Sequence, residues 1–366
     1  MMGINLSSPA RYICFILLIA YLTVGNRDAF TQTAEGDTAV SGWGVYPILF
    51  YTDQTSLALG GHAVHYFRNP TDEQTSTINT DLIYTLKKQL IVGGDTEIYK
   101  QNYRFNAAIW YQKFPDLFYG IGNDSKSEDE EKYTLETLQI GARLPYGITN
   151  HLFAGVLIDA QYQDFLELVP DGNFANSYLL GIDKAYWLTG AGFLAEWDSR
   201  DNVYYPSSGA YLRLWSIFYL PALGSAFDFK QLLLDLRQYV PITESTVLAF
   251  QSYLGAVTGN VPYSSYQVLG TTIFRGFSAR YRDKTLLTFQ GELRVKLWSR
   301  FGFVAFAGVG EVAPDMNSLQ LSAFKTGAGI GIRFQAIPET GLNIRLDFGI
   351  GTQNNSSLTF YPGEAF

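Results

Sequence analysis

The sequence predicts an all-β protein: a transmembrane antiparallel β-barrel of about sixteen strands with a long loop folded into the lumen. The first observation behind this is alternation. Between 324 and 335, Phe324, Ala328, Ile330, Ile332 and Phe334 share one face, while Lys325, Gly327, Gly329, Gly331, Arg333 and Gln335 share the other. Between 342 and 351, Leu342, Ile344, Leu346, Phe348 and Ile350 alternate with Asn343, Arg345, Asp347 and Gly349. Successive strand side chains point to opposite faces, so one face suits lipid and the other water. A soluble sheet with this pattern needs a second layer over its apolar face, whereas a bilayer covers a closed barrel. The second observation is composition. Aromatics make up 16% of 366 residues, with 25 Tyr and 26 Phe, and there are 35 Gly. Charged residues are 16%, against roughly 25% in a soluble domain. Aromatic girdles and small lumen residues account for both excesses.

The chain opens on a leader. The only long apolar run is 12–24, preceded by Arg11. It has the length of a signal-peptide core and is short for a membrane helix of roughly 20 residues. Thr23 and Gly25 are small residues at the −3 and −1 positions for cleavage after Gly25. Residues 1–25 are therefore expected to be a signal peptide, 26–41 a short periplasmic lead-in, and 42–366 the barrel. The single cysteine, Cys14, falls in the leader. A mature chain without cysteine has no disulfide, thiolate metal site or cysteine nucleophile.

Strands are expected near 43–51, 56–68, 76–88, 89–100, 102–113, 133–146, 151–165 and 186–198. Eight more follow near 208–220, 226–240, 245–257, 286–298, 301–312, 322–336, 341–351 and 356–366. Connections at 101–102, 241–244 and 338–341 read as tight turns, while 114–132, 166–185 and 258–285 are long. Short turns at one end and long loops at the other is the barrel pattern. Within 114–132, Asp124, Glu128, Asp129, Glu130 and Glu131 form an acidic run broken by Lys126 and Lys132. It reads as a solvated loop or a cation site, and it lacks the ligand spacing of a calcium loop.

Chemistry-bearing clusters are sparse. His62 and His65 lie three apart on a predicted strand and point to opposite faces, and His151 begins another strand. No spacing nominates a nucleophile with a base, so no enzymatic activity, metal or cofactor is expected. The net charge of −8 gives no basic patch for nucleic acid.

The informative constellation is Arg275-Gly276-Phe277 in the long segment, followed by the strand carrying Glu292. There Leu287, Phe289, Leu293, Val295 and Leu297 form the apolar face, and Thr288, Gln290, Glu292, Arg294 and Lys296 the polar one. Glu292 is thus expected in the lumen, where Arg275 can reach it once the loop folds inward. Guanidinium and carboxylate match as a charge-assisted, often bidentate pair.

With Gly291-Glu292-Leu293-Arg294, this loop motif resembles that of the BamA/TamA superfamily, the bacterial surface antigens. Upstream, Trp197-Asp198-Ser199-Arg200-Asp201-Asn202, then Pro206 and Gly209, is similar to the family's turn between strands. Gly327 to Arg333, the run Arg345 to Phe348 and the final Phe366 also resemble it, as does Phe118-Tyr119-Gly120-Ile121-Gly122-Asn123. The resemblance implies an outer-membrane location and a role in inserting or translocating outer-membrane proteins. It implies opening of a weak seam between first and last strands to pair with a client strand. Pro362 and Gly363 weaken the last strand and fit that seam. Phe366 is implied to be part of an insertion signal. Expected partners are outer-membrane lipids, client barrels or a separate periplasmic or lipoprotein subunit. Two departures stand out. Only about 17 residues separate leader and first strand, so the α/β periplasmic domains of family assembly factors are not expected. Gly308 stands where the family has an Asp, with lumen-facing Asp347 a possible substitute. A structural or partner-docking barrel is the rival reading, and a passive pore a lesser one.

Overall fold

The computed structural model describes residues 40–52, 55–68, 75–270, 273–277, 279–337 and 341–366. The predicted leader, and the lead-in up to residue 39, lie outside these residues. The chain runs β1 (Val40–Thr52), β2 (Ser56–Arg68), β3 (Ser76–Thr85), β4 (Leu90–Lys100), β5 (Tyr103–Phe118) and β6 (Glu131–Gly147). Then come β7 (Leu152–Leu166), β8 (Tyr186–Asp198), β9 (Gly209–Tyr219), β10 (Phe229–Thr243), β11 (Thr246–Gly259), β12 (Gln267–Leu269) and β13 (Tyr281–Asp283). The last five are β14 (Thr285–Lys296), β15 (Phe301–Ala313), β16 (Lys325–Ile337), β17 (Leu342–Gly351) and β18 (Asn355–Pro362). Sixteen of these close an antiparallel barrel, in which β11 pairs with β14 and β18 returns to β1. The remaining two, β12 and β13, form a small separate sheet within the long loop.

Closure is uneven. The β1–β2 ladder runs unbroken from Val40↔Arg68 to Thr52↔Ser56. The β1–β18 seam has only Tyr51↔Phe360 and Thr52↔Thr359.

Burial is inside out, as the alternation requires. On β14, Thr288, Gln290, Glu292 and Arg294 are buried while Phe289 and Leu293 are exposed. On β17, Arg345 and Asp347 are buried while Leu346, Phe348 and Ile350 are exposed. An apolar exterior around a polar interior is stable only where lipid is the outer solvent. Aromatic side chains ring the short-turn end on the outside. Trp43 stacks on His65 with ring centres 4.5 Å apart. Tyr103 lies 4.9 Å from Tyr146, and Trp298 and Phe334 flank Phe301. Amphipathic rings at this height mark a membrane–water boundary.

Three of the boundaries that differ from the sequence reading shape the lumen or its rim. β5 continues through Pro115 to Phe118, because Phe114, Asp116 and Phe118 keep the inward phase and pair with β6 up to Phe118↔Glu131. β10 runs through Pro241 to Thr243 with a register shift, since a bulge accommodates the missing N–H. β18 stops at Pro362, and the chain turns inward at Gly363, whose φ is +82°. Phe366 is therefore not on the last strand; it lies buried inside the barrel.

Replacing outward Ile330, 53% exposed in mid-β16, by Arg should cost about 2–4 kcal/mol of folding free energy in a bilayer. Reversible refolding into lipid vesicles measures it. An unchanged free energy would mean that this face does not meet lipid.

Candidate functional site

The site is the interior of the barrel, where the 260–284 segment descends between the walls. Its tip is built for close approach. Gly276 has φ +97°, a conformation only glycine adopts freely. Its N–H donates to Ser357 Oγ at 2.7 Å. A Cβ on Gly349 would lie 2.8 Å from Gly276 N, and one on Gly351 would lie 2.7 Å from Gly276 O. The loop main chain thus rests directly on the β17 main chain. Phe277 is fully buried and stacks on Phe274, centres 5.4 Å apart. Phe274 occupies the space above Gly308, where a Cβ would come within 2.5 Å of its ring.

Arg275 is the fastening. Its Nη2 donates to Glu292 Oε2 and its Nη1 to Asp347 Oδ2 at 3.0 Å. Its guanidinium lies 3.7 Å from the centre of the Phe306 ring, adding a cation–π contact. The predicted Arg275–Glu292 pair is therefore present in the lumen, and Asp347 supplies the second carboxylate. A side chain at 308 has no room beneath Phe274. Glu292 Oε1 also accepts from Arg294 Nε at 2.6 Å. Asp347 also accepts from Arg333 Nη1 at 2.5 Å and Arg345 Nη1 at 3.3 Å.

Arg294 ties this centre to the predicted turn motif. Its Nη1 donates to the Pro206 carbonyl at 3.4 Å and its Nη2 to the Phe366 carbonyl at 2.8 Å. The motif residues shape the turn that brings Pro206 there. Arg200 forks onto Asp198, Nε to Oδ1 at 2.9 Å and Nη2 to Oδ2 at 2.7 Å. Asn202 Oδ1 accepts from the Tyr204 and Tyr205 N–H groups at 2.7 and 2.9 Å. Asp201 accepts from the Ser207 and Ser208 N–H groups and the Ser207 hydroxyl. Burial works against the Asp201 carboxylate, yet these bonds hold its pKa below the ordinary value. Gly209, φ +95°, then starts β9.

The other end of the loop is held across the barrel. Arg282 donates to Tyr133 Oη at 3.1 Å and Asp116 Oδ2 at 3.4 Å, and lies over Tyr263 at 4.8 Å. Burial pushes the Tyr263 hydroxyl up to about 12, with Arg282 opposing, so it stays neutral. The 118–123 motif roofs this end. Gly122 N–H donates to the Arg282 carbonyl at 2.8 Å, and Asn123 Nδ2 donates to the Ala323 carbonyl at 3.2 Å. In the acidic run, Glu131 accepts from the Asn173 and Phe174 N–H groups at 2.6 and 3.1 Å. That carboxylate braces a neighbouring loop, while Lys126 and Glu128 form an exposed pair.

The histidines do not converge. His62 Nδ1 is 2.7 Å from Asp81 Oδ1 in the lumen, His65 stacks outside, and His151 lies beside Trp197 at the short-turn rim. Sequence reasoning placed Arg294 and Arg333 on polar strand faces without assigning them to the lumen centre, and it missed Glu364 there. Glu364 Oε2 accepts from Arg333 Nε at 2.8 Å, and its Oε1 from Asn343 Nδ2 at 2.7 Å. Arg294 and Arg333 were legible, since each shares a strand phase with an identified lumen residue.

Arg275→Ala or Glu292→Ala should each cost about 3–5 kcal/mol, because each strands buried charge. The double variant should cost less than the sum, since the two share one interaction. Gly308→Asp should also destabilise, by displacing Phe274. Protease sensitivity of the 260–284 segment and the gel shift of unheated protein measure all four. Additive single effects would remove the pairing.

Comparison with solved structures places this barrel beside BamA and CdiB. It is similar to BamA from Haemophilus ducreyi lacking POTRA domains 1–3, at 11% identity and TM-score 0.60, over 90% of this chain and 70% of that one. It is similar to CdiB from Acinetobacter baumannii, at 11% identity and TM-score 0.55, over 89% of this chain and 60% of that one. CdiB from Escherichia coli matches at 10% identity and TM-score 0.58, over 88% of this chain and 62% of that one. The chain thus spans less than two thirds of the CdiB chains, and these likenesses carry the fold alone. Comparison with curated proteins finds no significant sequence match. Residues 71–366 match the Omp85 superfamily domain, and together with the plugged, weakly seamed barrel this places the chain in the Omp85 superfamily.

Proposed function

We propose that the protein sits in the outer membrane and inserts or translocates polypeptides there by strand addition at the β1–β18 seam. The observation that carries this is the seam itself. Two residue pairs close it, and residues 40–49 have no strand partner on that side among the described residues. An exposed strand edge is a template for an incoming strand, main-chain bonds giving affinity with little demand on sequence. The loop held by Arg275 and Arg282 supports the same reading, because it fills the lumen that a passive pore needs open. In this reading the short-turn end faces the periplasm and the loops roof the outer side. No step requires a catalytic residue, metal or nucleotide. Clients would be other outer-membrane barrels, and a separate periplasmic or lipoprotein subunit could deliver them.

A disulfide across the seam tests this. Tyr51→Cys with Phe360→Cys joins residues that are already paired. Oxidised protein in vesicles should lose insertion of a barrel substrate, and reduction should restore it. Each single variant should stay active. Full activity with the bond formed would reject insertion through the seam. Recovery of one stoichiometric partner without any client would favour a docking barrel instead.

A further inference from the structure

The segment after β18 does not continue along the wall. Residues 363–366 cross the short-turn end of the lumen and are fastened at three places. Gly363 N–H donates to the Asn343 carbonyl at 2.7 Å. Glu364 is held by Arg333 and Asn343. Phe366 is buried against Tyr239, Val247 and Ala249, under Arg294. The strap therefore starts at the seam strand β18 and ends on β10 and β11, on a different part of the wall.

The register at the seam defines a second place for the same residues. Tyr51 faces Phe360 and Thr52 faces Thr359. Continued one residue at a time, that register sets Pro47 opposite Glu364 and Tyr46 opposite Ala365. The strap can lie in the lumen or extend β18 along the open edge of β1, and not both.

The two placements differ in the charge at the centre of the lumen. The side-chain guanidiniums of Arg275, Arg294, Arg333 and Arg345 meet three side-chain carboxylates there, Glu292, Asp347 and Glu364. Arg333 lies between the two fastenings: its Nε holds Glu364, its Nη1 holds Asp347, and its Nη2 is 3.8 Å from Glu292. Asp347 and Glu292 are also the carboxylates that hold Arg275. Withdrawing Glu364 removes a negative charge from this cluster. It also frees Arg333 to compete with Arg275 for Asp347 and Glu292. Both effects loosen Arg275.

We infer that the strap and the lumen loop form an interlock through Arg333: with the strap inside, the seam edge is open and the loop is locked, and zipping the strap onto β1 loosens the loop. The barrel then never opens its seam and its lumen together. The interlock stands whatever the seam receives.

Glu364→Gln in the full chain, refolded in vesicles, should raise the rate of protease cleavage within 260–284 by about tenfold, an ordinary coupling between sites. Unchanged cleavage would overturn the coupling. The second arm is Tyr46→Cys with Ala365→Cys, oxidised to trap the strap on β1. The oxidised protein should be cleaved faster in the loop than the same protein reduced. Failure of the disulfide to form would show that the strap does not leave the lumen. A disulfide that forms while the loop stays protected would show that strap and loop are independent. The gel shift of unheated protein reports that each variant is folded, and Asn106→Ala, at a distant lumen pair with Arg143, should leave loop cleavage at the parent rate.

Discussion

Charge sealed inside the barrel is the constraint on which the rest depends. The wall carries Glu292, Arg294, Arg333, Arg345 and Asp347 on inward positions of β14, β16 and β17. Ions removed from water need partners and hydrogen bonds, or the cost runs to several kcal/mol each. The wall side chains supply three guanidiniums and two carboxylates. Arg275 enters with the loop and Glu364 with the strap, so the centre is completed by two segments that are not wall. Their positions are then set by electrostatics as much as by packing. A loop without Arg275 would be a lid; with it, the loop is a structural member.

Close approach has to be permitted before charge can act. The inner faces of β15, β16 and β17 are stripped of side chains where the loop lies. A Cβ on Gly327 would come within 3.1 Å of Phe277, and one on Gly310 within 2.7 Å of Leu269. These glycines weaken the strands locally. The gain is a main-chain contact between Gly276 and β17 and a bed for Phe274 and Phe277. Gly308 shows the trade in one residue. It offers Arg275 no side chain and admits the Phe274 ring, and the carboxylate beside Arg275 comes from Asp347 on β17.

Most of the wall was legible because a membrane barrel has only one face to hide. Polar alternation on β14 and β17 points Glu292 and Asp347 inward without any tertiary information. Arg294 and Arg333 had the same phase as Glu292 and Gly331 and could have been added on that ground. The strap was not legible. Pro362 and Gly363 read as weakening the last strand, but where the chain goes next depends on Arg333 and Arg294, held on distant strands. β5 was cut short for the opposite reason. Pro115 signals a break, yet Asp116 and Phe118 find partners in Arg282 and Phe174, from loops that no local pattern places nearby.

The weak seam follows from the same balance. In hydrocarbon an unpaired N–H or C=O costs several kcal/mol, so a strand edge open over residues 40–49 is an unstable surface unless something covers it. Pro47 removes one donor from that edge. Residues 363–366 laid along it in the seam register would face 45–48, but that choice empties the positions beside Arg333 and Arg294 and leaves Phe366 without its pocket. Ladder bonds on one side and buried ion pairs on the other are energies of similar size. A segment of four residues between two such sites is poised, and a strand arriving from another polypeptide can satisfy the β1 edge without drawing the strap out of the lumen.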